Sequence, residues 1–492
     1  MSKLLEKARE YEQNAIKNIP NSQRPIFHFS VPSGWLNDPN GFSDFKGEHH
    51  LFFQYNPYNT HWDSMHWGHA KSTDFIKWEY LPAALAPDKE YDNAGVFSGS
   101  ALEDGEKQVL LYTGIKEEIL KNGEKQIRQA QCLAIGDGIN YEKFPANPVI
   151  TDKHLPAGSS KEDFRDPKIW KEGDRYYAVV GSRSPDGSGQ ILLFFSDNLT
   201  DWQFGNILDK CKNKLGKMWE CPDFFHLNNY SVLMVSPQDM LAEGLTFHNG
   251  NNALFLIGDY QKETFQFTRN HVQNIDYGLD FYAPQTMLAE DGRRIMTAWM
   301  QSWDTYLCPE DYLWYGMMIC PRELSIKNGI VYQTPVHELT QYYKDKVSYS
   351  NLLIKNKTQL EGIEGRNIDL QITLKSSDYQ KFKIKLASNQ QFYSEIIYNR
   401  EEGILTFDRS HSGYRRDIVS SRSMIAEDEN NAFHMRILMD RYSVEIFVNY
   451  GKQVMTSLIY TPQSATGITF ESIGEALMDI TKYKIEVYNE KI

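Results

Sequence analysis

The chain has 492 residues, of which 41% are hydrophobic and 24% are charged. This composition is typical of a globular protein, and the length exceeds the roughly 250 to 300 residues at which single cores stop growing, so two domains are expected. The formal net charge of −13 disfavours binding to nucleic acid or to an anionic membrane surface. The sequence has no run of 18 apolar residues, which excludes a membrane-spanning helix.

The first residues predict a short amphipathic helix. Leu4, Leu5, Ala8 and Tyr11 recur at helical spacing among charged residues, whereas a secretory leader needs an apolar core. We therefore expect a helical extension over residues 1–23 and a cytoplasmic protein. The odd number and wide spacing of the cysteines suggest neither a disulfide framework nor a zinc site. These cysteines are Cys132, Cys211, Cys221, Cys308 and Cys320.

A turn followed by an aromatic residue repeats along the next part of the chain. In three places an Asp, or once an Asn, precedes an aromatic residue by four positions, at Trp78, Tyr141 and Trp202. The separations of 63 and 61 residues match one four-stranded propeller blade with long loops. Five such blades would occupy residues 24–340. The alternative is an irregular β fold in which similar hairpin endings recur by coincidence.

The last third of the chain alternates polar and apolar residues, as in Lys381–Leu386, Glu445–Val448 and Lys482–Val487. Such strands have one solvated face and one buried face, so a β-sandwich is expected over residues 348–492. Residues 341–346 are the candidate linker, either extended or folded as a short helix. Strand edges of the sandwich can pair two chains, so a homo-oligomer stays open.

Three short segments combine acidic residues with a proline and lie far apart, at residues 35–41, 164–168 and 219–223. Cleaving a glycosidic bond with retention needs one carboxylate that attacks the anomeric carbon and one carboxylic acid that protonates the leaving oxygen. Turns that contain proline hold a side chain in a fixed position, as this chemistry requires. Each segment alone is better explained as a surface turn, whereas the three together favour an enzyme.

Asp38 is the candidate nucleophile of the first segment. Pro39 fixes the backbone that follows it, and Gly41 permits the chain to reverse. The Asn37 amide can orient Asp38 or bind a sugar hydroxyl.

The other two segments supply one carboxyl each. Glu220 follows Trp219 and lies near another carboxylate, and both neighbours favour the protonated form that a general acid needs. Arg165 can hold Asp166 ionised, which suits it to bind sugar hydroxyls and to stabilise an oxocarbenium-like transition state.

The three segments resemble the signature motifs of glycoside hydrolase family 32, the β-fructofuranosidases that include invertases and sucrose-6-phosphate hydrolases. Further similar segments extend the resemblance in the expected order from about residue 24 to the end, at residues 66–70, 96–100, 280–285, 298–300, 321–324 and 443–449. The resemblance implies an all-β fold, a five-bladed β-propeller with a C-terminal β-sandwich. It also implies Asp38 as nucleophile, Asp166 as transition-state stabiliser and Glu220 as acid/base.

The implied activity is that of a retaining glycoside hydrolase. It would release terminal β-fructofuranosyl units from sucrose, sucrose-6-phosphate or short fructo-oligosaccharides, small saccharides that react without a cofactor. No metal site is predicted, because His66 and His69 lack a companion carboxylate in a recognisable ligand pattern. The implied substrate-binding residues are Trp35, Leu36, Asn37, Gln54, Trp62, Phe97, Ser98, Arg165 and Trp299.

Two other functions are compatible with parts of this pattern. A fructosyltransferase uses the same three carboxylates and differs only in the geometry of its acceptor site. A noncatalytic propeller that binds glycans predicts the loss of at least one of these carboxylates, and all three are present. The choice among the substrates depends on basic side chains at the leaving-group side, which the sequence does not identify.

Overall fold

The computed structural model describes residues 1–305, 307, 309, 311–375, 378–414 and 418–487. In this part of the chain, β-strands form seven sheets. Cys308 and residues 488–492, which end the expected sandwich, lie outside the described residues. None of the helices described is both long and apolar enough to cross a membrane.

The N-terminal residues form helix α1, Lys3–Ala15, with the Ser2 side chain accepting a hydrogen bond from the Leu5 amide. Two side chains of this helix bind the backbone of Ala83. Arg9 Nε donates to the Ala83 carbonyl, and Glu12 accepts from the Ala83 amide, both at 2.9 Å. Helix α1 thus covers backbone groups of an edge strand that would otherwise be unpaired. Short 3₁₀ helices lie at Ile16–Asn18, Asn21–Gln23, Glu90–Asp92, Asp152–His154, Trp303–Thr305, His337–Tyr342 and Asn449–Gly451.

Five sheets follow one another between residues 34 and 335, and we call this part the five-sheet domain. The first two consist of β1 (Gly34–Phe45), β2 (Glu48–Asn56), β3 (His66–Ser72) and β4 (Trp78–Leu85), then β5 (Gly95–Asp104), β6 (Lys107–Ile119), β7 (Lys125–Gly136) and β8 (Tyr141–Lys143). The third and fourth consist of β9 (Phe164–Glu172), β10 (Arg175–Arg183), β11 (Gly189–Ser196) and β12 (Trp202–Lys210), then β13 (Trp219–Leu227), β14 (Tyr230–Pro237), β15 (Leu254–Gln261) and β16 (Gln266–Asn274).

The fifth sheet contains β17 (Tyr282–Leu288), β18 (Arg294–Trp299), β20 (Arg322–Lys327) and β21 (Ile330–Pro335). Between them, β19 (Trp314–Tyr315) pairs in parallel with β1 of the first sheet, with Gly34 opposite Trp314. The first strands of the five sheets, β1, β5, β9, β13 and β17, contact one another in this order, and β17 also contacts β1. We call them the inner strands.

The predicted repeat is confirmed at three equivalent turns. Trp78, Tyr141 and Trp202 each begin the outermost strand of their sheet. The polar residue of each turn caps it, because the side chains of Asp74, Asp137 and Asn198 each accept hydrogen bonds from two backbone amides.

The remaining strands form two sheets around one core, which we call the two-sheet domain. The six-stranded sheet has the order β22 (Tyr343–Ile354), β32 (Ala476–Ile485), β23 (Ile368–Lys375), β28 (Ala432–Met439), β29 (Ser443–Val448) and β30 (Gln453–Leu458). The five-stranded sheet has the order β27 (Ser421–Ile425), β26 (Ile404–Asp408), β25 (Ser394–Asn399), β24 (Lys381–Ser388) and β31 (Gly467–Ile473). Residues 341–346, the candidate linker, comprise the end of the last 3₁₀ helix before β22 and the start of β22 itself.

A buried charge network joins the two domains. His28 lies between the carboxylates of Asp440, at 2.9 Å, and Glu445, at 2.8 Å, and none of the three side chains is exposed. Burial alone would lower the pKa of His28, but hydrogen bonds and charges of the two carboxylates outweigh it and raise the pKa to about 9. Arg322 extends the network, since it pairs with both Glu445 and Asp276.

Candidate active site

Each inner strand carries an irregularity at an equivalent point. In each case one extra residue is inserted relative to the neighbouring strand, which is the definition of a β-bulge. The shifts fall between Leu36 and Pro39, Phe97 and Gly99, Arg165 and Lys168, Glu220 and Asp223, and Tyr282 and Gln285. A bulge changes the direction in which side chains point, and all five inner strands carry one near the beginning of the strand.

The bulges align the candidate residues into two rows. The bulge row contains Asp38, Ser98, Asp166, Cys221 and Ala283, and the preceding row contains Asn37, Phe97, Arg165, Glu220 and Tyr282. In four strands the bulge row is followed by a proline, which can occupy a bulge because it has no backbone N–H to pair. Asp166, Cys221 and Ala283 adopt left-handed backbone angles, with φ of 65°, 46° and 50°. Such backbone strain is concentrated at functional sites.

The Cys221 thiol lies between two of the three carboxylates. Its Sγ is 3.6 Å from Oδ2 of Asp38 and 3.7 Å from Oδ2 of Asp166. The Cys221 amide donates a 3.0 Å hydrogen bond to the same oxygen of Asp166, and Ser98 Oγ donates one of 2.7 Å to Asp38. The structure therefore brings Asp38 and Asp166 to one point.

Glu220 is held through both of its oxygens. Arg165 donates to Oε1 from Nε at 3.1 Å and from Nη2 at 3.0 Å, and Tyr282 Oη lies 2.7 Å from Oε2. The Tyr282 hydroxyl also lies 3.1 Å from the carbonyl of Ser236. Since a hydroxyl donates one hydrogen and also accepts, Tyr282 can donate to ionised Glu220, or donate to Ser236 and accept from protonated Glu220.

Burial and like charge dominate the electrostatics of the site. Burial, and then the charge of Glu220, raise the pKa of Asp38 to about 6. Burial also raises the pKa of Asp166 to about 7, with the nearby Arg165 guanidinium opposing it and the other two carboxylates reinforcing it. Three carboxylates thus share one guanidinium. The raised pKa values of Asp38 and Asp166 bring the titration of both carboxyls close to neutral pH.

The expected substrate-binding residues differ in how far they are exposed. Trp62 has 48% of its surface exposed and meets the half-buried Phe97 edge to face at 5.8 Å, so both rings are accessible to a ligand. Gln54 lies deeper and donates from Nε2 to the carbonyl of Val96. Three others have no exposed surface and pack beneath the site, namely Trp35, Leu36 and Trp299. Trp35 Nε1 donates to Oδ1 of Asn37, which fixes that amide.

Sequence reasoning missed Tyr282, Trp303 and the contacts of Cys221. Trp303, 37% exposed, stacks on Trp35 with ring centroids 5.9 Å apart, so it offers the accessible indole face that Trp299 does not. The dipeptide Ala283-Pro284 is the signal that could have found Tyr282, because it repeats the residue-proline pattern of the other bulges. Trp303 lies in a short 3₁₀ helix and carries no comparable signal.

A row of polar residues lies directly after the bulges and links the inner strands. It consists of Asn40, Ser100, Lys168, Asp223 and Gln285, and we call it the polar row. Asn40 Oδ1 accepts from the Gly99 amide, and Ser100 Oγ donates to the carbonyl of Pro167. These hydrogen bonds join β1 to β5 and β5 to β9.

The other members of the polar row complete the set of links. Lys168 Nζ lies 3.2 Å from Oδ2 of Asp223, which also accepts a 2.7 Å hydrogen bond from the Thr286 amide. Gln285 accepts from the Phe42 amide and donates to the carbonyl of Gly99. All five inner strands are thereby fixed in register immediately below the carboxylates.

A group with ligand-type side chains, Glu323, His337 and Glu338, lies outside the two rows. Arg293 already hydrogen-bonds both glutamates, so a guanidinium balances the charge that a cation would meet. The two rows bring carboxyl groups together. Such groups can attack an anomeric carbon, protonate a leaving oxygen and stabilise positive charge on a sugar ring.

Comparison with known proteins matches the chain along almost its whole length. Residues 28–335 match the glycosyl hydrolases family 32 N-terminal domain, and residues 338–488 match the family 32 C-terminal domain. A sucrose-6-phosphate hydrolase of Escherichia coli is 38% identical over 95% of this chain and 96% of its own length. A raffinose invertase of Escherichia coli is 35% identical, with coverage of 93% and 94%.

Solved structures agree with this assignment. A GH32 beta-fructofuranosidase of Bombyx mori, in a variant complexed with sucrose, superposes with a TM-score of 0.84 at 31% identity over 98% of both chains. A sucrose-6-phosphate hydrolase of Lactobacillus gasseri gives a TM-score of 0.84 at 28% identity, covering 97% of this chain and 96% of its own. The chain belongs to glycoside hydrolase family 32.

Proposed function

We propose that this protein is a retaining β-fructofuranosidase that hydrolyses sucrose-type substrates. The observation that carries the proposal is the meeting of Asp38, Asp166 and Glu220 around Cys221, in two equivalent rows of the inner strands. Carboxylates that meet in this way can attack an anomeric carbon and protonate the oxygen that leaves it.

In the proposed reaction, Asp38 attacks C2 of the terminal fructose while Glu220 protonates the glucosyl oxygen. Glu220 then takes a proton from the water that releases fructose from Asp38. The two alternative hydrogen bonds of Tyr282 support this alternation, since they accommodate both protonation states of Glu220. Asp166 can bind sugar hydroxyls and stabilise the positive charge that develops on the ring.

For the fold, we propose that the five sheets are the blades of a five-bladed propeller over residues 24–340. We also propose that the two-sheet domain is a β-sandwich, which begins with β22 at Tyr343, five residues before the expected start at residue 348. The ring of contacts among inner strands supports this arrangement, as does the pairing of β19 with β1. Cytoplasmic residence stays a prediction that fits the free thiols of Cys132, Cys211, Cys221 and Cys320. A homo-oligomer also stays a prediction.

Trapping the covalent intermediate tests the proposal. The enzyme is mixed with sucrose and quenched in acid within milliseconds, and its peptides are analysed by mass spectrometry. We expect one fructosyl group on the peptide that contains Asp38, and none in Asp38→Asn. Glucose release without any sugar-bearing peptide, or a sugar on another residue, would overturn the assignment of Asp38.

The preferred substrate is tested separately by comparing kcat/KM for sucrose, sucrose-6-phosphate and kestose. The relatives named sucrose-6-phosphate hydrolase support inclusion of the phosphorylated sugar. Product analysis at high sucrose distinguishes hydrolysis from transfer, because a hydrolase yields equal glucose and fructose whereas a transferase leaves a deficit of free fructose.

A further inference from the structure

The chain that leads into β17 is bound to the other domain. In residues 276–280, the Tyr277 amide donates to the carbonyl of Val454 at 2.8 Å, and the Asp280 amide donates to that of Thr456 at 3.0 Å. These residues therefore run alongside β30, the edge strand of the six-stranded sheet. Leu279, 2% exposed, is buried in the core of the two-sheet domain.

The close approach of the two backbones leaves no room for a side chain at Gly278. A Cβ placed there would lie 2.0 Å from the carbonyl oxygen of Thr456. This contact, and the burial of the neighbouring Leu279, fix the position of the segment relative to β30.

Two carboxylates strengthen the attachment. Asp276 accepts from the Thr456 amide at 2.8 Å, and Asp280 accepts from the Leu458 amide at 2.8 Å. Asp280 also forms an ion pair with Arg409, which donates in addition to the carbonyl of Leu458. Both members of this pair are buried, so the loss of one would leave the other charge uncompensated.

Asp280 is two residues from Tyr282, which contacts the carboxyl group of Glu220. We propose that the two-sheet domain takes part in catalysis by holding Tyr282 against Glu220, with Asp280 and Arg409 as positioning residues. The inference rests on the proposed function, in which Glu220 protonates the leaving group. A hydrogen bond weakens steeply with distance and angle, so a small shift of β17 is sufficient to release one oxygen of Glu220.

A comparison of leaving groups tests this role. The glucosyl oxygen of sucrose must be protonated as it leaves, whereas the nitrophenolate of para-nitrophenyl β-fructofuranoside leaves without a proton. We expect Asp280→Asn and the milder Arg409→Lys to lower kcat/KM for sucrose by about tenfold or more, which is part of the roughly 10²- to 10⁴-fold that a positioned general acid contributes. We expect kcat/KM for the aryl substrate to fall by less than about twofold, because that step does not need the acid.

A double variant identifies the route of the effect. Tyr282→Phe is expected to show the same selective loss in kcat/KM for sucrose. The ratio of the kcat/KM values for the two substrates should not change further when Asp280→Asn is added, because both changes remove the same hydrogen bond between Tyr282 and Glu220.

Asp440→Asn is the matched control, because Asp440 is an equally buried carboxylate between the domains. Its hydrogen bonds go to residues 26–28 and to the Arg441 amide, and none goes to residues 276–282. The control variant should reduce stability and leave the ratio unchanged.

The outcomes separate this inference from the proposed function. If Tyr282→Phe is selective but neither Asp280→Asn nor Arg409→Lys is, the positioning role is wrong and the acid assignment stands. If Glu220→Gln itself shows no dependence on the leaving group, the acid assignment fails. If Asp280→Asn and Arg409→Lys lower kcat/KM equally for both substrates, and unfold at a midpoint like that of Asp440→Asn, the role of the ion pair is purely structural.

Discussion

Ser98 donates a 2.7 Å hydrogen bond to Oδ2 of Asp38 across two neighbouring inner strands. The two residues occupy equivalent positions of the bulge row, so the contact follows directly from the shared strand geometry. A hydrogen bond to a carboxylate favours its ionised form. It therefore lowers the pKa of Asp38, against the burial and the charge of Glu220 that raise it.

Ser98→Ala should consequently move the acidic limb of activity to higher pH. The proposed nucleophile must be ionised, so kcat/KM falls as pH drops through the pKa of Asp38, about 6. Removal of the hydrogen bond raises that pKa further, and we expect a displacement of about one pH unit. Profiles of kcat/KM for sucrose against pH measure it. Ser43→Ala, whose hydroxyl donates to the carbonyl of Gly41, is the control and should not move the limb.

Asp38→Asn should abolish turnover and stabilise the fold. The loss of the proposed nucleophile is expected to lower kcat by roughly 10⁴-fold or more. A raised pKa means that ionised Asp38 costs stability, and a neutral amide removes a cost of about 1 to 3 kcal/mol at pH 7. Chemical unfolding should give a higher free energy of unfolding for the variant than for the wild type at pH 7. This difference should shrink as the wild-type carboxyl becomes protonated below pH 6. A variant less stable than wild type at pH 7 contradicts this reasoning.

The buried pair of the polar row should show strong coupling. Lys168→Met leaves Asp223 without its cation, and Asp223→Asn does the reverse, so each single change should cost about 3 to 5 kcal/mol. The double variant should cost clearly less than the two single costs combined, because no unpaired charge remains. Urea unfolding of the three variants measures the coupling. Lys171→Met, which breaks a half-exposed pair with Asp104, should change stability by less than about 1 kcal/mol.

The His28 network should make stability depend on pH. The pKa of His28 is raised in the folded state, so its stabilisation is fully present below about pH 6.5 and is lost as pH rises through about 9. The shift corresponds to about 3 kcal/mol. Equilibrium unfolding between pH 6 and 10 should therefore show a decline that is absent in His28→Asn. Equal slopes in the two proteins would mean that His28 is neutral in the fold.

The acidic segments could be identified from sequence because their information is local. A carboxyl residue next to a proline specifies a bulge and the side chain that it redirects, and Asp38 and Asp166 follow this rule. Glu220 lies one position before its bulge, at Cys221. The spacing of Trp78, Tyr141 and Trp202 was equally readable, since each aromatic residue begins an outermost strand.

Other parts of the site depend on contacts that no local pattern encodes. Trp35 and Trp299 look like sugar-binding aromatic residues, but neighbouring rings cover them completely. Trp303 is partly exposed and stacks on Trp35 from a short 3₁₀ helix, a contact that no local pattern in the sequence indicates. The attachment of residues 276–280 to β30 joins positions about 180 apart in the chain, a separation over which periodicity carries no information.

The pairing of residues 276–280 with β30 has a consequence for biosynthesis. A ribosome delivers all three proposed catalytic carboxylates by residue 220, yet Asp280 meets its partners only after Leu458 has been made. Under the proposed positioning role, a chain that ends near residue 340 would contain all three carboxylates but lack the partners of Asp280, so its kcat/KM for sucrose should be low. Full activity on sucrose should therefore appear only after residue 458 has been translated.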